Sequence, residues 1–302
     1  MERRLVIDPM VTVCRPLAST LTINSVAPVA RVLSDPYGWF NDEVVVDLSA
    51  VRFAPPAGLV AVVGAVAAAA GYGTQVRVVC PTDGGCCSYL ASSGVLQYWK
   101  RTGVVLDGSG GVEGRSPSAS PTILALTTVV TDGDAGDVRQ RVGDVLERLL
   151  GSGDEAWRRR RQSFRGAVHE MSTNVVRHTR ATGFVLAQKY YNRRERRYFV
   201  EFAVGDAGPG IPVTLRGGVG GLDDLADEVV LGRMVREGLS SRGGGMGYET
   251  VVQFTSAHDG QFDLRSGAAS LSISRGGGEP KTTALGWSWP GTVLSGSVTC
   301  PA

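Results

Sequence analysis

The stretch Glu170-Met-Ser-Thr-Asn174-Val-Val-Arg-His178 determines how the second half of the chain is interpreted. Glu170, Asn174 and His178 are spaced four residues apart, so in a helix they project from one side. An amide oxygen is a hard ligand suited to Mg²⁺ beside phosphate oxygens. A carboxylate one turn earlier can orient a water or accept a hydroxyl proton. By itself the spacing is also typical of a polar helix face exposed to solvent.

A second segment, Val204-Gly-Asp206-Ala-Gly208-Pro-Gly210, lies at the end of a predicted strand. A carboxylate at a strand end can accept a hydrogen bond from an exocyclic amine. Gly208 and Gly210 lack a Cβ, so a flat ring can approach the backbone there. The alternative interpretation of this segment is an ordinary Gly-Pro turn.

A third segment, Arg242-Gly243-Gly244-Gly245-Met246-Gly247-Tyr248, precedes a helix-like stretch. Consecutive backbone N–H groups in front of a helix N-terminus form a cradle for anions such as phosphate. A flexible loop is the alternative interpretation here. Gly291-Thr292, which opens the last predicted strand, is a fourth and weaker signal.

Together and in this order, the four segments resemble the Bergerat-fold, or GHKL, ATPase family. That family includes histidine kinases, anti-sigma factor kinases, Hsp90-like chaperones and type II topoisomerases. The resemblance covers residues 121–302. The family's helix motif E-x-x-x-N-x-x-x-H matches Glu170, Asn174 and His178, and its two glycine boxes, D-x-G-x-G and G-x-G-x-G, match residues 206–210 and 243–247.

The resemblance implies a role for each matched residue. Asn174 would hold Mg²⁺ against the phosphates of ATP, Glu170 would be the catalytic base or orient a water, and Asp206 would read the adenine amine. Residues 213–242 would form a mobile ATP lid. The implied nucleotide-contacting residues are Asn174, Arg177, His178, Asp206, Gly208, Gly210, Arg242, Gly243, Gly245, Met246, Gly247 and Thr292.

The first half alternates strand and helix signals, namely a strand at Glu43–Leu48, a helix at Leu59–Ala70 and a strand at Gln75–Cys80. This order predicts a small α/β domain. The run from Val44 through Asp47 to Leu59 resembles the STAS domain of anti-sigma factor antagonists, in which a partner kinase phosphorylates a serine at the helix N-terminus. Ala57 occupies that position here and has no hydroxyl, which implies a docking or scaffolding role.

The predicted organisation is a STAS-like domain over residues 1–106, a Gly/Ser/Pro-rich linker over 107–120, and a nucleotide-binding domain over 121–302. In the second domain, helices on one face of a mixed sheet predict an α/β sandwich. Its predicted strands are Thr122–Val130, Phe184–Gln188, Tyr198–Val204, Phe262–Leu264, Ala269–Ile273 and Thr292–Thr299, and its predicted helices are Asp137–Leu150, Phe164–Thr179 and Leu225–Glu237.

Composition excludes several classes of protein. Lys and Arg number 31 and Asp and Glu 29 in the 302 residues, a net charge of +2 that argues against a dedicated nucleic-acid binder. The five cysteines are odd in number and lack metal-ligand spacing, so a reducing compartment is expected. The most apolar stretch, Ala57–Ala70, is shorter than the ~20 residues that cross a bilayer. We therefore expect a cytoplasmic protein without nucleic-acid or membrane partners.

The resemblance implies a regulatory, Mg·ATP-dependent protein of the anti-sigma serine/threonine kinase type. Its substrate would be a hydroxyl on a partner protein, such as an anti-sigma antagonist or a sigma factor, and a homodimer is compatible with it. The alternative is an ATP-driven conformational switch or ATPase that uses the STAS-like half for docking. A zinc H-E-x-x-H site at His169 is not expected, because Thr173 stands where the second histidine belongs.

Overall fold

The structure of the chain, a computed structural model, describes residues 11–34, 43–111, 122–150, 155–179, 181–240, 260–275 and 278–299. Two β-sheets organise these residues, a parallel one in the first half and an antiparallel one in the second, with helices packed on both. This arrangement confirms the predicted α/β and α+β fold class. Residues 112–120 of the predicted linker lie outside the described part of the chain.

The first sheet is parallel throughout, with its strands in chain order. Its strands are β1 (Val11–Cys14), β2 (Glu43–Asp47), β3 (Gln75–Val79) and β4 (Val105–Asp107), and its helices are α1 (Ile23–Ser34), α2 (Pro56–Gly71), α3 (Gly84–Ser92) and α4 (Val95–Arg101). Parallel neighbours require a crossover, and the helices supply it between each pair of strands. Val44 and Val46 alternate with half-exposed residues along β2, so helices cover one face of the sheet.

Helix α2 is apolar around its whole circumference, because Ala, Val, Leu and Gly fill nearly all of its positions. It begins at Pro56, three residues before the predicted start at Leu59, since the first turn of a helix tolerates the missing N–H of proline. A helix of this composition is buried on all sides. Here α1 covers one side and the second sheet covers another.

No helix in the described part of the chain combines the length and the apolar composition that spanning a bilayer requires.

The second sheet has the strand order β5-β6-β7-β9-β8. Its strands are β5 (Ile123–Val129), β6 (Gly183–Asn192), β7 (Arg197–Asp206), β8 (Gln261–Ile273) and β9 (Lys281–Thr299), and the helices of this half are α5 (Asp132–Leu150), α6 (Glu155–Thr179), α7 (Ile211–Arg216) and α8 (Asp227–Glu237). The predicted mixed sheet is corrected to one whose pairings in the described residues are all antiparallel. The reason is that β6–β7 and β8–β9 are consecutive strands joined by short connections.

Strand β8 replaces the two short strands predicted at Phe262–Leu264 and Ala269–Ile273. Its register with β9 shifts on either side of Gly267, which marks a β-bulge. Pairing therefore continues past the irregularity, and Ser266 forms the last regular pair before it.

Side chains of the second sheet alternate between two buried faces. On β7, Phe202 faces α5 and α6, and its ring packs edge-on against Phe164 of α6 with 4.9 Å between the centroids. Ala203, the next residue, faces the opposite side. On that side Gly205 lies so close to α2 that a Cβ added to it would be 2.7 Å from Cγ1 of Val60.

The helices of the first half therefore lie between the two sheets, and both halves contribute to one hydrophobic cluster. Tyr98 of α4 packs edge-on against Phe184 of β6, with 5.2 Å between the ring centroids. The backbone N–H of Leu126 on β5 donates a hydrogen bond to the carbonyl of Ser93, after α3, at 2.7 Å. The two predicted domains thus bury apolar surface against each other.

The close packing of α2 gives a test of the fold. A Cβ at Gly58 would overlap the backbone carbonyl of Leu21, so Gly58→Ala should destabilise the protein by at least about 2 kcal/mol, because backbone must move to admit the methyl group. The matched control is Gly136→Ala in α5, whose added Cβ meets no atom within 4 Å and should stabilise the helix by about 0.5–1 kcal/mol. Urea unfolding measures both, and an unchanged midpoint for Gly58→Ala would contradict this packing.

Candidate functional site

Three polar side chains form a row across neighbouring strands of the second sheet. Asp206, at the end of β7, is the cross-strand partner of Thr292 on β9, and Thr292 is in turn the partner of Ser266 on β8. Cross-strand partners project from the same face of a sheet. All three are buried, with 4% of Asp206 and 0% of Ser266 exposed.

Hydrogen bonds link this row to the turn that follows β7. The backbone N–H of Gly208 donates to Oδ1 of Asp206 at 2.8 Å. The hydroxyl oxygens of Ser266 and Thr292 are 3.0 Å apart. The N–H of Ile211, the first residue of α7, donates to Oγ of Ser266 at 2.7 Å. The row and the turn are therefore held as one unit.

Burial raises the pKa of Asp206 to about 7, because the charged carboxylate loses its solvation by water. The N–H of Gly208 and the polar groups of Thr292 act in the opposite direction and stabilise the charged form. A carboxyl group that is desolvated, yet supplied with donors by Gly208 and Thr292, is a strong acceptor for one further donor group of a ligand.

The glycine positions of the turn are needed for close packing. A Cβ at Gly208 would lie 2.5 Å from Cβ of Thr179, at the C-terminus of α6. A Cβ at Gly210 would lie 3.0 Å from Oγ of Ser266, and Gly210 also has a φ of +86°, in the region that favours glycine. The first glycine box therefore touches both the end of the motif-bearing helix and the polar row.

Helix α6 carries the E-x-x-x-N-x-x-x-H motif along one side. Glu170, Asn174 and His178 are each half-buried and flank the apolar stripe that packs on the sheet, which includes Met171 and Val175. A Cβ at Gly183, on the strand next to Asp206, would lie 2.6 Å from Cγ1 of Val175. The motif thus borders the core and does not form a fully exposed polar face. Arg177 is exposed on this helix.

His169 and Thr173 have structural partners on or beside α6. Nδ1 of His169 lies 3.1 Å from the carbonyl oxygen of Ala135 on α5, which ties the two helices together. The hydroxyl of Thr173 donates to the carbonyl of His169 at 2.8 Å, within its own helix. Both side chains are therefore held by contacts within or beside α6.

The described part of the predicted lid contains α7 and α8, and an ion pair organises it. The Arg216 guanidinium lies 2.6 Å from Oδ1 of Asp227 and also donates to the carbonyls of Leu222 and Leu225. Oδ2 of Asp227 accepts the N–H of Ala268 on β8 at 2.6 Å. The Arg216–Asp227 pair therefore holds both ends of residues 217–226 together and links them to β8, the strand that carries Ser266.

The second glycine box lies outside the described residues. This applies to the predicted phosphate-contacting residues Arg242, Gly243, Gly245, Met246 and Gly247. Their roles remain predictions, as do those of Glu170, Asn174 and His178. What the structure brings together is Asp206, Thr292, Gly208 and Gly210, with the end of α6 beside them.

The opposite face of β7 carries a second buried carboxylate. Oε1 of Glu201 accepts the backbone N–H of Ala57, in the first turn of α2, at 3.1 Å. Burial raises the pKa of Glu201 to about 7, the Ala57 N–H lowers it and the charge of Asp263 raises it. Side chains alternate between the two faces along a regular strand, so those of Glu201 and Asp206 point to opposite faces. Ala57, which contacts Glu201, therefore lies on the face away from the Asp206 site.

Sequence reasoning missed Ser266, the Arg216–Asp227 pair and Glu201. Ser266 and Thr292 become neighbours only through the pairing of β8 with β9, which no local pattern reports. Arg216 and Asp227 are 11 residues apart, beyond the helical spacings that identify ion pairs. The one available signal was Glu201 itself, a charged residue within an otherwise apolar predicted strand.

The raised pKa of Asp206 predicts how Asp206→Asn changes stability with pH. A group whose pKa is higher in the folded than in the unfolded protein contributes its full stabilisation of the fold when the pH is below the unfolded pKa. That stabilisation is lost as the pH rises through the folded pKa. The contribution of Asp206 to the free energy of unfolding should thus fall progressively as the pH rises from 4 to 8. Asp206→Asn should remove that part of the pH dependence, as measured by urea unfolding at several pH values.

Glu201→Gln is the matched control, since Glu201 is a half-buried carboxyl group on the same strand and its pKa is also raised by burial. It should flatten the same stability profile while leaving nucleotide binding unchanged, because Glu201 faces α2. An Asp206→Asn profile parallel to that of the unaltered protein would contradict the pKa assignment.

No family model and no curated protein matches the sequence. Among solved structures, the chain is similar to the histidine kinase domain of the blue-light-activated histidine kinase of Erythrobacter litoralis EL346. The likeness has 14% sequence identity and a TM-score of 0.26, and it covers 70% of this chain and 93% of that one. A likeness of this size assigns no function, so the function is argued from the site itself.

Proposed function

We propose that the chain is a regulatory protein that binds Mg·ATP in its second half and transfers the γ-phosphate to a hydroxyl of a partner protein. The observation that carries this proposal is the buried Asp206 carboxyl, held between the Gly208 N–H and Thr292 at the end of a central strand. Burying a carboxylate costs solvation free energy, and a ligand that supplies a hydrogen-bond donor offsets part of that cost.

Adenine supplies the donor that Asp206 requires. Its exocyclic amine can donate to the carboxylate, whereas guanine presents a carbonyl oxygen at the same ring position, and two acceptors repel. Gly208 and Gly210 let the turn pack closely against the end of α6 and against Ser266, which places the motif-bearing helix beside Asp206. Thr292 adds a hydroxyl on the neighbouring strand.

The phosphate end of the site is assigned to α6. Asn174 has the oxygen chemistry that suits Mg²⁺, and Glu170 lies one turn before it, about 6 Å along the helix axis. Mg²⁺, when bound, neutralises phosphate charge and fixes the direction of transfer. Glu170 would accept the proton of the attacking hydroxyl, and Arg177 and His178 would contact phosphate oxygens.

The position of Ala57 bears on where a phosphate acceptor could lie. This residue lacks a hydroxyl, its N–H is used by Glu201, and it lies on the face of the sheet opposite Asp206. Position 57 therefore offers no hydroxyl to the site in the same chain. This is consistent with phosphorylation of a separate partner, such as an anti-sigma antagonist or a sigma factor. It is equally consistent with an ATP-driven switch in which the first half docks a partner.

Asn174→Ala tests the site assignment. We expect it to weaken binding of Mg·ATP at least tenfold, because the metal loses a protein ligand, and to leave binding of ATP in EDTA unchanged. Isothermal titration calorimetry measures both conditions. Gln162→Ala is the matched control, since Gln162 is an exposed amide on the same helix and should change neither value. Equal Mg·ATP affinity for Asn174→Ala and the unaltered protein would refute the assignment.

The fate of γ-labelled phosphate separates the two functions. The purified chain is incubated with Mg²⁺, γ-labelled ATP and host lysate, with Glu170→Ala as the comparison. Label on a protein that depends on Glu170 supports the kinase. Label released only as free phosphate, or retained on bound ATP, supports the switch. In both cases Glu170→Ala should keep ATP affinity within about twofold while removing turnover.

A further inference from the structure

Ser266 is the third member of the polar row and belongs to none of the sequence motifs. It is fully buried, and its hydroxyl lies within 3.3 Å of three polar atoms: the N–H of Ile211 at 2.7 Å, Oγ1 of Thr292 at 3.0 Å and the carbonyl of Gly291 at 3.3 Å. A buried hydroxyl with this many partners has a defined orientation, because every proton and lone pair has to be placed.

Counting protons limits the possible directions of these hydrogen bonds. Ser266 Oγ accepts the Ile211 N–H, which leaves its single proton for one of two acceptors, the Gly291 carbonyl at 3.3 Å or Thr292 Oγ1 at 3.0 Å. Thr292 also has one hydroxyl proton, and the interaction that stabilises the Asp206 carboxylate uses it. The oxygen of Thr292 can then only accept, and Ser266 Oγ is the hydroxyl 3.0 Å away that can donate to it.

We infer that Ser266 is a positioning residue that sets nucleobase specificity by orienting the Thr292 hydroxyl as a donor toward Asp206. The chain of donors runs from the Ile211 N–H through Ser266 and Thr292 to the carboxylate. Asp206 then presents only acceptor lone pairs to a ligand, which select a purine with an amine over one with a carbonyl. This inference rests on the proposed nucleotide site.

Without the Ser266 hydroxyl, the Thr292 hydroxyl is free to turn toward another acceptor. The Asp206 carboxylate then loses a donor, and its protonated form becomes more favourable in this desolvated position. A protonated carboxyl can donate to a purine carbonyl. Selectivity against a carbonyl-bearing base should therefore fall, even though Ser266 touches no part of the base.

The test compares ATP with inosine triphosphate, whose base has a carbonyl in place of the adenine amine. The ratio of the two dissociation constants is measured by calorimetry with Mg²⁺ for the full chain. Ser266→Ala should reduce the preference for ATP about tenfold, the effect of one mismatched buried hydrogen bond. Ser266→Cys, which keeps the volume but is a weak donor, should reduce it in the same direction if Ser266→Ala does not fold.

A double-mutant cycle distinguishes positioning from a general loss of structure. Thr292→Val should lower the preference for ATP, and adding Ser266→Ala to it should lower it no further, because Ser266 acts through Thr292. Ser270→Ala is the matched control, a buried serine four residues along β8 whose hydroxyl bonds to the Thr283 carbonyl at 3.4 Å. It should leave the ratio unchanged.

An unchanged ratio in Ser266→Ala, or independent effects in the cycle, would overturn the role of Ser266 while leaving the nucleotide site in place. If the unaltered chain binds neither nucleotide, the proposed function fails and the role of Ser266 with it. A normal preference for ATP in the unaltered chain, lost in Ser266→Ala and not lowered further in the double variant, supports the inference.

Discussion

The second sheet is buried on both faces, and this constraint determines most of the architecture. Helices α5 and α6 cover one face, and helices from the first half cover the other. Alternate residues of the central strand must therefore suit two different interiors, as Phe202 does toward α6 and Ala203 toward α2. The all-apolar circumference of α2 has the same origin, since this helix has no side that faces water.

Two carboxylates in such a strand need partners from outside it. Glu201 receives the first-turn N–H of α2, a favourable place for negative charge at a helix N-terminus, and Asp206 receives the N–H of a glycine turn. The two carboxylates differ in what surrounds them. Glu201 is enclosed by a neighbouring helix, whereas Asp206 lies where the strand ends and the glycine turn begins. The strand end is therefore the place where a buried carboxyl group adjoins a glycine turn.

The sequence predicted those elements whose signals are local. The periodicity around Asn174 identified α6, the β-branched run at Val44 identified β2, and the glycine turn after Asp206 was recognised by composition. Signals that depend on pairing were not available. The Ser266–Thr292 contact and the contact of Ala57 with Glu201 join residues that are 26 and 144 positions apart. Residues 241–259, which include the second glycine box, lie outside the described part of the chain.

The contact between α2 and the strand ends means that the two halves cannot be dissected by truncation. A Cβ at Gly64 of α2 would lie 3.6 Å from the backbone oxygen of Asp206, so the floor of the site rests on the first half. A fragment starting after the linker would expose Phe184 and Leu186 to water, together with the apolar face around them. Such fragments are prone to aggregate. If one of them failed to bind nucleotide, the cause would be the lost packing of α2 beneath Asp206, and the result would not show that the first half docks a partner.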